Sequence, residues 1–187
     1  MTTDAVLELF EQTAALRKGH FELRSGLHSD QFFQCALVLQ HPAHATALCE
    51  ALLALMPEVQ ADVVMAPALG GITLGYEMAR QLGVRAIFAE KQEGRLVLRR
   101  GYTIEAGERV VIAEDVITRG GRVQEVIDIV ESQNGAIQAI AVLVDRSGGQ
   151  ASFRYPLTSL IQMEVTTWPP DACPLCAAGV PLEHPGS

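Results

Sequence analysis

Apolar positions recur along the chain with two periods, and the switches between them mark out its elements. Near the start, Val6, Leu9, Phe10, Thr13 and Leu16 fall near helical spacing, which predicts an amphipathic helix over residues 3–17, capped by Thr3 or Asp4 and ended by Gly19. His41-Pro42 opens a second helix with Ala45, Leu48, Cys49, Leu52 and Met56 on one face, and Pro57 stops it. Residues 62–66 then read as a buried strand. The turn Pro67-Ala68-Leu69-Gly70-Gly71 leads into a helix from about Ile72 to Leu82, closed by Gly83, and residues 84–89 return as strand. The order then repeats. Residues 109–113 form a strand, and Val123, Val126, Ile127 and Val130 make an apolar stripe opposite Glu125, Asp128 and Glu131. Asn134-Gly135 stops that helix, and residues 137–144 form a strand ending at Asp145-Arg146.

Strand–helix–strand units of this kind predict an α/β fold, a mostly parallel central sheet flanked by helices with right-handed crossovers. The length of 187 residues suits a single domain, and 49% hydrophobic against 19% charged residues argues against disorder. The segment after Trp168 is rich in Pro and Gly and is expected to be a loop packed on the core. No apolar run is long enough for a bilayer, and Asp4 and Glu8 stand where a signal peptide would be basic. A soluble, cytoplasmic protein with no membrane partner is expected. A net charge of −8 argues against nonspecific nucleic-acid binding. Lys91, Arg95, Arg99 and Arg100 nevertheless crowd one short segment. Such a run is usually a solvated face, but this one lies just before the chain's most informative strand.

That strand is Val110-Val111-Ile112-Ala113-Glu114-Asp115, followed by Val116-Ile117-Thr118-Arg119-Gly120-Gly121-Arg122. The acids fall at the carboxyl end of a buried strand, where open α/β sheets bind ligands. Thr118 to Arg122 can offer backbone N–H groups to an anion at the start of the next helix. Carboxylates would repel a bare phosphate, but they suit the hydroxyls of a sugar phosphate. The string resembles the phosphoribosyl pyrophosphate (PRPP) motif of the type I phosphoribosyltransferases. It departs where Gly121 replaces the last hydroxyl residue and where Arg119 replaces a small one.

Two further segments narrow the resemblance. Leu23-Arg24-Ser25-Gly26-Leu27-His28-Ser29-Asp30-Gln31-Phe32-Phe33 is similar to the N-terminal signature of the orotate phosphoribosyltransferases, shorter branch, as is the strand end Val144-Asp145-Arg146. Ser25-Gly26 can present amides to a carboxylate, Phe32 or Phe33 can wall a pyrimidine, and Arg146 can make a planar bidentate contact. Taken by themselves, the phenylalanines could equally fill a core, and Arg146 could pair with a surface acid. The resemblance implies the type I phosphoribosyltransferase fold with a small N-terminal hood, formed by about residues 1–40 and the C-terminal tail. It also implies transfer of ribose 5-phosphate from PRPP to orotate, giving orotidine 5′-phosphate and pyrophosphate, with Mg2+ bound through PRPP and meeting Asp115 through water. By the same resemblance Glu114 and Asp115 hold the ribose hydroxyls, and residues 116–122 bind the 5′-phosphate. Thr118, Arg146, Ser25, Gly26, Phe32 and Phe33 meet orotate, while Ala68, Leu69, Gly70 and Gly71 form the pyrophosphate loop. Lys91 and Arg95 close over pyrophosphate from a mobile loop shared across a homodimer. Gly70 stands where some members carry a lysine, and the loop of the longer members has a histidine that is lacking here.

The rival readings are a purine or uracil phosphoribosyltransferase and a non-catalytic PRPP-sensing regulator. Separately, Cys173-Pro174-Leu175-Cys176 has zinc-ligand spacing without a second nearby pair, so the same tail of a symmetry mate could complete a site. Cys35 and Cys49 sit in apolar surroundings and read as small core residues.

Overall fold

The computed structural model describes residues 1–23 and 25–185. In chain order the elements are α1 (Thr3–Gln12), β1 (Leu16–Glu22), β2 (His28–Phe33), α2 (Ala36–Leu39), α3 (Pro42–Leu55), β3 (Val63–Pro67), α4 (Gly70–Leu82) and β4 (Arg85–Gln92). They continue with β5 (Arg95–Leu98), β6 (Arg109–Ile117), α5 (Gly121–Ser132), β7 (Ala136–Asp145), β8 (Leu157–Gln162), β9 (Thr167–Trp168), a 3-10 turn (Pro170–Ala172) and α6 (Pro174–Ala177).

The apolar runs assemble into a six-stranded sheet in the order β5-β4-β3-β6-β7-β8. Every neighbouring pair is parallel except β4 with β5. The strand period of two explains why β6 is apolar on successive residues: it feeds two cores. Val111 and Ala113 face the layer with Leu48, Leu52, Leu74 and Met78 of α3 and α4. Val110 and Ile112 face the layer with Val123, Val126, Ile127 and Val130 of α5. No helix is long and apolar enough to cross a membrane among the described residues.

Two departures from the sequence pattern are instructive. The first helix ends at Gln12, not near residue 17. Thr13 Oγ1 turns back to the Leu9 carbonyl at 2.8 Å and Ala14 takes a left-handed φ of 56°, which redirects residues 16–22 into β1. Residues 89–100, expected as a mobile loop, instead contain a β-hairpin. Lys91 pairs with Leu96 and Gln92 with Arg95. Glu93 and Gly94 both have positive φ, which suits a tight two-residue connection. Leu96 is buried and its N–H donates to Glu125 at 2.8 Å, anchoring β5 to α5.

A second sheet is built from the two ends of the chain. β1 and β2 form an antiparallel hairpin, and β9 adds to β2. Past α6 the tail returns to β1: Glu183 N donates to His20 O at 2.8 Å, and Glu22 N donates to Glu183 O at 2.9 Å. The tail is thus a structural strap rather than a plain loop.

Candidate active site

β6 runs on past its apolar residues and carries both acids at its carboxyl end. Glu114 is buried and its Oε1 accepts the Asp115 N–H at 3.1 Å, while its Oε2 has no partner among the described residues. Burial, and secondarily the neighbouring Asp115 charge, hold the Glu114 carboxyl well above the usual carboxylate range. Asp115 is half-buried and its Oδ1 accepts the Val116 N–H at 2.8 Å.

The chain then turns through exposed Thr118 and Arg119 to Gly120, whose φ of 74° is left-handed, and enters α5. The first bond of α5 runs from Gln124 N to Gly120 O at 2.9 Å. The amides of Gly121, Arg122 and Val123 therefore precede the helical ladder and open toward an anion, reinforced by the helix dipole. Exposed Gly121 and Arg122 sit at this terminus. Arg122 Nη1 donates to Ala68 O at 3.3 Å and ties the turn to the loop after β3.

That loop carries Ala68, exposed Leu69 and Gly70, and buried Gly71, and its Ala68–Leu69 peptide is cis. A Cβ at Gly70 would stand 2.5 Å from Asp115 Oδ2, and one at Gly71 would lie 3.2 Å from Glu114 Oε1. The loop is pressed against the two acids. In this arrangement the Asp115 carboxylate occupies the space a side chain at 70 would need, a physical reason for glycine where the family pattern can have lysine.

On the other side of the acids, β7 ends at Asp145 and Arg146 follows it. Its guanidinium lies over the Phe33 ring, 5.4 Å from the centroid, and its buried Nε has no partner among the described residues. Burial pulls its pKa below the usual arginine range. Asp145 does not pair with it: Asp145 Oδ1 accepts the Ser147 N–H at 2.8 Å. Phe33 is buried edge-on to Phe10 at 6.3 Å, whereas half-buried Phe32 faces Phe21 at 5.8 Å. The turn joining β1 and β2 is closed by Leu23 N to Leu27 O and Gly26 N to Leu23 O, both 2.8 Å, with Ser25 exposed. Gly26 thus spends on the turn itself the amide that the sequence suggested for a ligand. Arg24 lies outside the described residues.

Lys91 and Arg95 are exposed on the β4–β5 hairpin and, among the described residues, make no hydrogen bond or ion pair with the acids or the phosphate turn. Arg100 bonds Glu90 at 3.0 Å and Arg99 approaches it at 3.9 Å, so half of the basic run is committed to that acid. Cys173 and Cys176 lie in the tail beside His20 and His28. Sequence reasoning missed Ser147, whose buried Oγ has no partner among the described residues; its only signal was its place directly after Asp145-Arg146. Cys35 is a buried core residue, as its apolar surroundings predict, and its thiol approaches the Asp115 carbonyl at 3.9 Å.

A doubly acidic strand end, an open helix terminus beyond it and a glycine loop packed against the acids thus come together at the carboxyl edge of the sheet. Residues 38–172 match the phosphoribosyl transferase domain family. The chain is 50% identical to the orotate phosphoribosyltransferase of Caldicellulosiruptor bescii, covering 100% of this chain and 98% of that one. It is 49% identical to the one of Heliobacterium modesticaldum, covering 100% and 99%. The crystal structure of the Aeropyrum pernix orotate phosphoribosyltransferase superposes with a TM-score of 0.74 over 84% of this chain and 93% of that one, at 21% identity, a likeness of fold. The chain belongs to the orotate phosphoribosyltransferase family.

Proposed function

We propose that the chain transfers ribose 5-phosphate from PRPP to N1 of orotate in the space bounded by the ends of β6 and β7 and by β2, a step of pyrimidine synthesis. The bond from ribose C1 to pyrophosphate breaks as N1 bonds to C1, so positive charge develops on the sugar and negative charge on the leaving group. Positioning and electrostatics carry such a reaction. Glu114 and Asp115 hold the ribose hydroxyls. The amides and side chains of residues 116–122 take the 5′-phosphate. Ala68 to Gly71 border the pyrophosphate.

The observation that carries the orotate assignment is Arg146, half-buried and, among the described residues, with an unpartnered Nε and no acid paired to it. A planar carboxylate would complete it; uracil and purines bring none. Thr118 and Ser25, both exposed, would meet the base, and Phe33 backs the arginine. The hard carboxylate oxygens of half-buried Asp115 fit Mg2+ carried in by PRPP and met through water. Held there, the ion would supply positive charge to offset the charge building on pyrophosphate.

Lys91 and Arg95 serve the site of a neighbouring subunit. Support comes from their exposure on a hairpin without partners at their own acids, and from Leu69 and Tyr76, exposed apolar residues two turns apart that suit a homodimer contact. Four free cysteines fit a reducing, cytoplasmic compartment.

The test is purified protein with PRPP, Mg2+ and orotate, following loss of orotate absorbance, with uracil, adenine and hypoxanthine as parallel acceptors. Mg2+-dependent consumption of orotate alone is expected. Turnover of another base would overturn the role of Arg146. PRPP binding without any turnover would favour the regulator.

A further inference from the structure

The tail and the β1–β2 hairpin meet at four side chains that the transfer reaction does not use. His20 and His28 are buried, as is Cys173, while Cys176 is exposed. Their ligand atoms all lie within 4.8 Å of one another. His20 Nε2 is 3.0 Å from His28 Nδ1, 3.5 Å from Cys173 Sγ and 3.7 Å from Cys176 Sγ; Cys176 Sγ is 3.3 Å from His28 Nδ1.

Each pair has a local cause. The register Phe21↔Ser29 and Glu22↔His28 places His20 and His28 diagonally on one face of the hairpin. Pro174 starts a single helical turn after Cys173, so two sulfurs three residues apart fall on one side. His20 Nδ1 is 2.8 Å from the Val180 carbonyl, the geometry in which Nδ1–H donates and Nε2 turns its lone pair inward.

We propose that His20, His28, Cys173 and Cys176 bind one zinc ion that clamps the tail to the hairpin. A zinc ion with Zn–N near 2.0–2.1 Å and Zn–S near 2.3 Å has tetrahedral edges of roughly 3.3 Å between nitrogens and roughly 3.5 Å between nitrogen and sulfur. The observed edges fall close to these. Two thiolates and two imidazoles, with no carboxylate and no position for substrate, form a closed set that suits a structural zinc rather than Mg2+. The hydrogen-bonded alternative is poorer: one proton satisfies the two facing imidazoles and leaves both sulfurs crowded against nitrogen. All four ligands come from one chain, not from the tail of a symmetry mate.

The need is physical. The small sheet has strands of 7, 6 and 2 residues and little core of its own, a setting in which a metal supplies what burial cannot. Two of its ligands, His20 and His28, stand on the strands that lead into and out of the β1–β2 turn. That the clamp steadies this turn for orotate rests on the reading of the active site above.

Zinc content of the full chain, purified reduced in metal-free buffer, is the first measurement, and one zinc per chain is expected. Cobalt exchanged into the same site should give a thiolate-to-cobalt charge-transfer band and the visible bands of a tetrahedral ion. Cys176→Ser should lose both; because that variant could misfold, chelation of the wild type, with the two thiols becoming reactive and the melting temperature falling, is the second arm. Zinc-free protein with freely reactive thiols, or a Cys173–Cys176 disulfide in the mass spectrum, overturns the proposal. These readouts do not involve turnover, so a metal-bound protein inert toward orotate would sink the assigned activity and leave the zinc site standing.

Discussion

Replacing Arg146 by Met tests the base site because binding should weaken sharply while folding is little affected or gains. Met keeps much of the stem over Phe33 and removes the guanidinium. Truncating one partner of a desolvated, hydrogen-bonded charge pair costs about 2–5 kcal/mol. Arg146 is only half-buried, so the lower part of that range applies, about 2–3 kcal/mol. At 1.4 kcal/mol per decade this is a rise of roughly 30- to 150-fold in KM for orotate. In the unliganded protein the same guanidinium is desolvated with its Nε unpartnered, which costs roughly 1–3 kcal/mol, against a gain of about 0.5–2 kcal/mol over the Phe33 ring. The variant should therefore melt within a few degrees of the wild type, or above it. Arg146→Lys should recover charge without the planar fork and fall between the two. Steady-state kinetics varying each substrate, with scanning calorimetry of the unliganded proteins, read both effects. An equal rise in the KM for PRPP, or a large loss of melting temperature, would refute the assignment and make Arg146 a structural residue.

Lys91→Ala should lower turnover by about two orders of magnitude, as for a lost transition-state donor, with orotate affinity little changed; unchanged turnover removes Lys91 from the mechanism. If its hairpin serves a neighbouring subunit, mixing inactive Lys91→Ala and Asp115→Asn chains should restore part of the activity, and no recovery would argue for action in cis. Gly70→Ala should raise KM for PRPP roughly tenfold, because a Cβ 2.5 Å from Asp115 Oδ2 must displace that carboxylate at a typical overpacking cost of about 1–3 kcal/mol; an unchanged KM would show that Asp115 has room to move. Glu114 titrates at about 9 in the fold against 4.5 ordinarily, so the folded state retains a proton that the unfolded chain gives up, and stability falls as pH rises through that window. Glu114→Gln should flatten the melting temperature against pH between those values, matching the wild type near pH 5 and exceeding it near pH 8; parallel curves would mean the carboxyl ionises normally.

The sheet and the phosphate side of the site were legible because they are local. β6, Glu114, Asp115 and the turn into α5 are contiguous, and the double apolar run of β6 states its burial on both faces. Helix α3 follows its proline signals, with Pro42 at its start and Pro57 just beyond its end. The small sheet was not legible in the same way. Leu16 fits the apolar stripe of α1, and only the left-handed Ala14 decides that it starts a strand. Residues 89–100 read as a loop because their charges hide the alternation that buries Leu96. The clamp was half visible. Cys173-x-x-Cys176 shows in the sequence, but His20 and His28 stand about 150 positions upstream and become neighbours only when the tail returns.

That return sets an order of events on the ribosome. β3, β4, β6 and β7 can pair while later residues are still being made, and β1 can pair with β2, but that hairpin must wait for β9 and Glu183 to complete its sheet. Such distant partners pay the largest loop-closure entropy and come together late. A nascent chain halted before residue 166 would hold a phosphate cradle next to an unfinished lid, so discrimination between bases would be the last property the growing protein acquires.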